Sequence, residues 1–254
     1  MMDSVLSVQG IHKHYSGFAL EDVTFSLAPN RIMGLIGKNG AGKSTTLKSI
    51  LNMVAPEKGS VTMFQKNFYK HEKECKQRIG VVFGGIDFYP LKRLSTIAAV
   101  TQRFYANWDQ GQYQRYIKRF ALDEGKQYKE LSNGMKVKFL LALALSHHAE
   151  LLILDEPTSG LDPVSREELL HIFRQIVKGE NCSILFSTHI TSDLDRCTDD
   201  ITYIQNGRVL QSADKETFLR SFEHLKTPED LGQLTLEEIM LRTERGEWDD
   251  DAAV

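Results

Sequence analysis

Apolar and polar residues alternate along Val5-Leu6-Ser7-Val8-Gln9 and again along Val23-Thr24-Phe25-Ser26-Leu27. A period of two predicts half-buried strands, and the two read as antiparallel neighbours. Further on the pattern changes. Ile32-Met33-Gly34-Leu35-Ile36, Ile79-Gly80-Val81-Val82-Phe83, Leu151-Leu152-Ile153-Leu154 and Ser183-Ile184-Leu185-Phe186-Ser187 are short apolar runs. Such runs predict strands buried on both faces in an α/β core. Pro56-Glu57-Lys58-Gly59 is a turn before a short strand at Val61-Thr62-Met63-Phe64. Ile201-Thr202-Tyr203-Ile204 and Arg208-Val209-Leu210, separated by Gln205-Asn206-Gly207, read as a hairpin with an Asn-Gly turn.

Helical periodicity fills the intervals. A charged helix is expected at Lys70 to Arg78, a long one at Lys136 to His148, and others at Val164 to Val177, Asp214 to Phe222 and Leu236 to Arg242. From Phe88 to Tyr128 aromatics are dense, and Ile97, Val100, Thr101, Phe104 and Tyr105 share one helical face. Asp109 is placed to N-cap the next helix. This stretch reads as a helical subdomain inserted into the core, its aromatics serving core and partner surface. Ser132 caps the helix that follows, and Asp162-Pro163 supplies N-cap and first helical position to another.

The chemistry begins where the strand at Ile32 ends. Gly37-Lys38-Asn39-Gly40-Ala41-Gly42-Lys43-Ser44-Thr45 fits G-x-x-x-x-G-K-[ST] between a strand and a helix. Glycines let the backbone turn its N–H groups inward on phosphate oxygens, and the helix N-terminus adds positive dipole. Lys43 is placed to reach the β- and γ-phosphates, and the Ser44 hydroxyl to ligate Mg2+. Asp155-Glu156 ends another buried strand, at the sheet edge where α/β ligands bind. Asp155 there can hold Mg2+ through its waters, and Glu156 can orient and deprotonate a water. His189, at the end of a third strand, can meet a γ-phosphate or position that water. Tyr15 either stacks on a base or covers the core at a strand end, and the residues by themselves favour the core.

Composition narrows the class without deciding it. The chain has 254 residues, 41% hydrophobic and 26% charged, as expected of one large or two modest soluble domains. A net charge of -3 gives no case for nucleic acid. No apolar run reaches a membrane-spanning length, and Met1 to Val5 lacks the features of a signal peptide. Cys75, Cys182 and Cys197 form neither a disulfide framework nor a zinc pattern, and they suit a reducing cytosol.

Taken in order, these motifs resemble the ATP-binding subunit of an ABC transporter, over nearly all of Leu6 to Phe222. Gly37 to Thr45 matches the Walker A loop, and Leu131-Ser132-Asn133-Gly134-Met135 the family signature. Leu151 to Glu156 matches Walker B with its catalytic glutamate, Ser159-Gly160-Leu161-Asp162 the D-loop, and His189 the switch histidine. The resemblance implies a P-loop NTPase of ABC type: a mixed central sheet, an antiparallel β-subdomain and an inserted helical subdomain at about 88-148. The ATPase domain would span 1-222, and 223-254 would be a short, partly mobile extension ending in the acidic Glu247-Trp248-Asp249-Asp250-Asp251.

The resemblance also implies roles. ATP and Mg2+ are the cofactors. Tyr15 stacks on adenine, while Gly37, Asn39, Gly40, Ala41, Gly42, Lys43, Ser44 and Thr45 hold the phosphates. Ser44 and Asp155 hold the metal; Glu156, His189 and Asp162 serve catalysis. Two ATPase units close head to tail, so Ser132 and Gly134 bind the γ-phosphate held by the opposite unit, and Asp162 crosses the interface. The partners are a transmembrane permease and a second ATPase subunit, identical or not. The chain is then cytoplasmic and peripheral, touching the membrane through the permease. Two departures stand out. Gly84-Gly85 replaces the family's glutamine, whose place water or Asp87 would take, and Asn133 and Met135 replace Gly and Gln of the signature. The missing glutamine and the stretch Phe104 to Asp109 resemble bacterial exporters of peptides, antibiotics or amphipathic toxins. Phe88, Tyr89 and the loop Gly84 to Leu91 would meet the permease. One alternative is a regulatory module that binds ATP with little hydrolysis. Another, a soluble ABC protein acting on ribosomes or DNA, lacks the expected tandem units or long coiled coil.

Overall fold

A computed structural model describes residues 4–83 and 89–251, with side chains as far as Glu244. The alternating segments form an antiparallel sheet. Strands β1 (Leu6–Tyr15), β2 (Phe18–Leu27), β3 (Ile32–Ile36), β4 (Lys58–Met63), β5 (Lys66–Asn67), β6 (Ile79–Phe83), β7 (Leu151–Asp155), β8 (Ser183–Thr188), β9 (Asp200–Gln205) and β10 (Arg208–Asp214) make two sheets. Their orders are β2-β1-β4-β5 and β10-β9-β3-β8-β7-β6. The first is antiparallel. The second is parallel from β9 to β6, and β10 closes its edge antiparallel.

Every residue of β3, β7 and β8 is buried. Their apolar runs, Ile32 to Ile36, Leu151 to Leu154 and Ile184 to Phe186, suit such burial, because a parallel sheet is covered on both faces. The helices are α1 (Lys43–Ile50), α2 (Glu72–Lys76), α3 (Leu94–Gln102), α4 (Gln110–Arg119), α5 (Asn133–Ser146), α6 (Pro163–Gly179), α7 (Thr191–Cys197), α8 (Lys215–Ser221) and α9 (Leu236–Asp251). Helix α5 packs against β6, α4 and α6, and its apolar residues Phe139, Leu141, Ala142 and Leu145 are buried. The expected caps are in place. Asp109 accepts from the Gln112 amide (2.8 Å), Ser132 from the Met135 amide (3.3 Å) and Asp162 from the Val164 and Ser165 amides (both 3.0 Å).

The aromatic-rich stretch divides in two. Tyr113, Tyr116 and Phe120 are buried, with the Tyr116 hydroxyl donating to Glu180 (2.5 Å). Phe104 and Tyr89 are exposed. The single face expected from Ile97 to Tyr105 is corrected: α3 ends at Gln102, so Phe104 and Tyr105 lie beyond it, and Val100 points outward while Ile97 is buried. Gly84, Gly85, Asp87 and Phe88, which the resemblance gives roles in this loop, lie outside the described residues. So do the side chains of Glu247 to Asp251. The part of the C-terminal extension that is described is packed: Leu234, Leu236 and Ile239 join the core, and Arg242 grips Asp230 with two bonds of 2.6 Å.

Tyr105 instead stacks on His147, ring centroids 3.6 Å apart and planes 8° from parallel. Burial pushes His147 from 6.5 down to about 4. The unfolded chain therefore binds a proton there that the folded chain refuses, and stability falls as pH drops from 6.5 towards 4. The full shift corresponds to about 3 kcal/mol. His147→Gln is expected to remove that share of the acid-induced loss in denaturant titrations across this window. An unchanged pH slope would show that His147 is protonated in the fold.

Candidate active site

The parallel register sets the site. Ile36 stands opposite Thr188, and Asp155 opposite Ser187. The carboxyl ends of β3, β8 and β7 therefore lie side by side, where ligands of such sheets bind. Residues separated by more than a hundred positions are thereby brought into contact.

From the end of β3 the chain turns through the glycine loop into α1. Gly40 and Gly42 have φ of 84° and 112°, conformations that disfavour any side chain. A Cβ on Gly42 would also lie 2.8 Å from Leu20 and 2.9 Å from Phe18, and one on Gly37 would collide with the Ile204 carbonyl. The loop is thus seated against β9 and the β2 hairpin. Lys43 is buried and folds across it. Its ammonium donates to the carbonyls of Gly37 (2.7 Å) and Lys38 (3.1 Å) and lies 3.3 Å from Glu156.

Ser44 donates to Asp155 Oδ1 at 3.0 Å, and the buried Ser187 hydroxyl donates to the same oxygen at 2.6 Å. Ser187 was not singled out from sequence. Its signal was its place on the strand immediately before Thr188-His189. Glu156 follows with φ 49°, a left-handed conformation unfavourable for a residue with a Cβ. Its amide is held by the Ser187 hydroxyl (3.0 Å) and carbonyl (3.2 Å). A strained backbone with such bonds over-determines where the carboxylate sits. Glu156 Oε2 is 2.8 Å from His189 Nδ1 while Oε1 faces Lys43.

Lys43, Ser44, Asp155, Glu156 and His189 therefore converge. Asn39, Ala41 and Thr45 belong to the loop and first helical turn beside them, where Ala41 is buried and Asn39 exposed. Tyr15 pairs with Phe18 across the hairpin, and Phe18 reaches Gly42. With 46% of its surface exposed, Tyr15 does not cover the core, which corrects that expectation: it stands at the last position of β1, where the strand leaves the sheet for the turn to β2. Ser132, Gly134 and Asp162 gather where α5 and α6 begin. A Cβ on Gly134 would meet Ser165 and Leu161, and one on Gly160 would meet Asn133. The start of α5 thus packs on the D-loop and the start of α6. Thr158 ties this region to α7 by donating to the buried Asp193 (2.6 Å), whose pKa is raised by burial.

Comparison with known proteins decides the family. The profile described as ABC transporter matches residues 20–159, more than half of the chain. The chain belongs to the ABC transporter ATP-binding family. It is 29% identical over 228 residues to the bacitracin transport ATP-binding protein BcrA of Bacillus licheniformis, covering 89% of this chain and 72% of that one. It is 32% identical over 212 residues to the ABC-type transporter ATP-binding protein EcsA of Bacillus subtilis, covering 81% and 85%. A solved ATP-binding subunit of an ABC transporter superposes with a TM-score of 0.82 at 27% identity, covering 95% of this chain and 100% of that one. The chain is accordingly an ABC-type ATPase, the ATP-binding subunit of a transporter. Among the described residues no helix is long and apolar enough to cross a membrane.

Proposed function

We propose that this ATPase powers export of a peptide, antibiotic or amphipathic compound through a separate permease, closing on a second ATPase subunit around ATP. The observation that carries the ATPase part is the convergence of Lys43, Glu156 and His189 beside Ser44 and Asp155. The export direction draws on the printed names of relatives, bacitracin transport and Nod factor export among them. In such a transporter the chain sits on the cytoplasmic face of the membrane, held by the permease.

The donor set fits Mg2+. Ser44 Oγ and Asp155 Oδ1 are hard oxygens 3.0 Å apart at the start of a helix and the end of a strand. Bound there, Mg2+ would neutralise charge on the β- and γ-phosphates. Lys43 exchanges its two loop carbonyls for phosphate oxygens. That frees Glu156 Oε1 to take a proton from the attacking water, while His189 donates to Oε2 and holds the carboxylate in line. Tyr15 stacks on the adenine. Asp162 and the phosphate contacts of Ser132 and Gly134 are completed across the interface when two such units close head to tail. The intact Glu156 arrangement favours turnover over a binding-only module.

A cleft of about 530 Å³ between β6 and α5, lined by Met53, Val81, Phe83, Tyr105, Leu140 and His147, is the seat we assign to the permease. Its walls are largely apolar, which suits a helix from the membrane subunit. Met53→Asp with Val81→Asp, both at exposed positions, is expected to abolish transport and leave nucleotide binding intact. Co-purification with the permease and compound resistance in cells measure the first, and nucleotide titration the second. Retained resistance would place the permease elsewhere.

The export reading is tested with the reconstituted ATPase–permease complex. Peptide antibiotics should stimulate ATP turnover and accumulate on the side away from the ATPase. Accumulation on the ATPase side would make it an importer.

A further inference from the structure

The phosphate loop carries two lysines, and each faces a carboxylate. Lys43 meets Glu156. Lys38 meets Glu244, far along the chain, with Nζ 2.6 Å from Oε2. Glu244 belongs to α9, which no motif of the family reading uses. Several contacts hold this helix in place. Thr235 and Glu238 cap the helix reciprocally, with bonds of 2.8 and 3.2 Å. Ile239 is fully buried, and Arg242 bonds both Asp230 and the Leu225 carbonyl (2.8 Å). The Tyr203 hydroxyl donates to Glu244 Oε1 at 3.2 Å, from a ring that is itself fully buried. The Glu244 side chain is only 14% exposed.

We propose that Lys38 is a second phosphate-binding lysine and that Glu244 competes with the nucleotide for it. The Lys38 carbonyl accepts from Lys43 Nζ at 3.1 Å, so Lys38 stands within the loop that cradles the phosphates. Its flexible four-carbon stem lets the ammonium leave Glu244 for a phosphate oxygen. The incoming polyphosphate and the Glu244 carboxylate are both anionic, and they cannot share one ammonium without repulsion. Binding of ATP therefore loosens α9 from the loop, and docking of α9 weakens binding of ATP. The two effects are reciprocal because they are one coupling between two binding equilibria. Glu244 is a positioning residue here and touches neither substrate nor reacting atoms. This inference rests on nucleotide binding at the glycine loop.

The test is titration of the full chain with a non-hydrolysable ATP analogue and Mg2+. Glu244→Gln is expected to lower Kd about threefold to fivefold, the range for a partly exposed ion pair. KM for ATP should fall in the same ratio with kcat unchanged, and the gain should shrink as salt is raised. Lys38→Met should raise Kd, and Glu244→Gln should add nothing in the Lys38→Met background. Tyr203→Phe, which removes the phenol that holds Glu244, should lower Kd in the same direction by less. In the wild-type chain the analogue should speed amide hydrogen exchange over residues 236–244. An unchanged or raised Kd in both Glu244→Gln and Tyr203→Phe would overturn the competition, as would a full gain in the Lys38→Met background. Failure of the wild-type chain to bind the analogue would overturn the nucleotide site as well.

Discussion

Glu156→Gln is expected to cut ATP turnover at least about a hundredfold, the usual contribution of a positioned general base, while ATP binding is retained or strengthened. Glutamine keeps the shape of the side chain and a carbonyl oxygen that can accept from His189 Nδ1, now 2.8 Å from the carboxylate. It cannot take a proton from water at neutral pH. It also removes the negative charge facing Lys43 at 3.3 Å, so that lysine is released more readily to phosphate oxygens. The left-handed backbone at this residue, φ 49°, is common to both side chains, so no new strain enters. The two readouts should part: kcat falls steeply and Kd for ATP does not rise. Turnover equal to wild type would show that another group takes the proton, and the proposed role of Glu156 would be lost.

Gly37→Ala should have the largest effect on the architecture of the site. The new methyl group would collide with the Ile204 carbonyl of β9, a backbone atom in a paired strand, and crowd Ala41. A strand in the middle of a sheet yields less readily than the far end of a side chain. The loop must lift, and the carbonyl of Gly37 that holds Lys43 moves with it. We expect a stability loss of about 3 kcal/mol, typical of a severe local clash, and loss of measurable nucleotide binding. Gly40→Ala is the useful contrast. Nothing lies within 4 Å of its Cβ, and the cost there is φ strain without collision. Equal binding by the Gly37→Ala chain and the wild type would show that the loop is not seated on β9.

These expectations depend on contacts that the sequence disclosed unequally. The strands β3, β7 and β8 were legible because each is built on a short apolar run, and the caps Asp109, Ser132 and Asp162 because their hydroxyl or carboxylate precedes a helical pattern. The motifs of the phosphate loop and of Asp155-Glu156 were legible because their chemistry demands particular residues at fixed spacing. Strand order was not. The β9–β10 hairpin was announced by its Asn-Gly turn, but that β9 pairs with β3, and so supports Gly37 through Ile204, is a long-range pairing that periodicity does not encode. Ser187 went unnoticed because a serine within a buried strand looks like any half-polar strand position until Asp155 is seen beside it. The aromatic face of α3 was misjudged because the helix stops one residue before Arg103, and no glycine or proline marks that end. The pairing of Glu244 with Lys38 was invisible for the same reason as strand order: it joins residues some two hundred positions apart, Lys38 fills an unspecified position of the loop motif, and Glu244 belongs to no motif.

Ser132 and Gly134 at the start of α5 and Asp162 at the start of α6 are assigned to the ATP of the opposite subunit, and this gives the account its central claim, that one chain holds two half-sites and ATP joins two chains. The most direct measurement is the mass in solution of the Glu156→Gln chain with Mg2+ and saturating ATP, by light scattering, alongside the same chain carrying Ser132→Arg. The account predicts a dimer with ATP, a monomer with ADP, and a monomer with ATP when Ser132→Arg is added, although that double variant still binds nucleotide. A Glu156→Gln chain that binds ATP fully and stays monomeric, or a dimer that Ser132→Arg leaves intact, would contradict it.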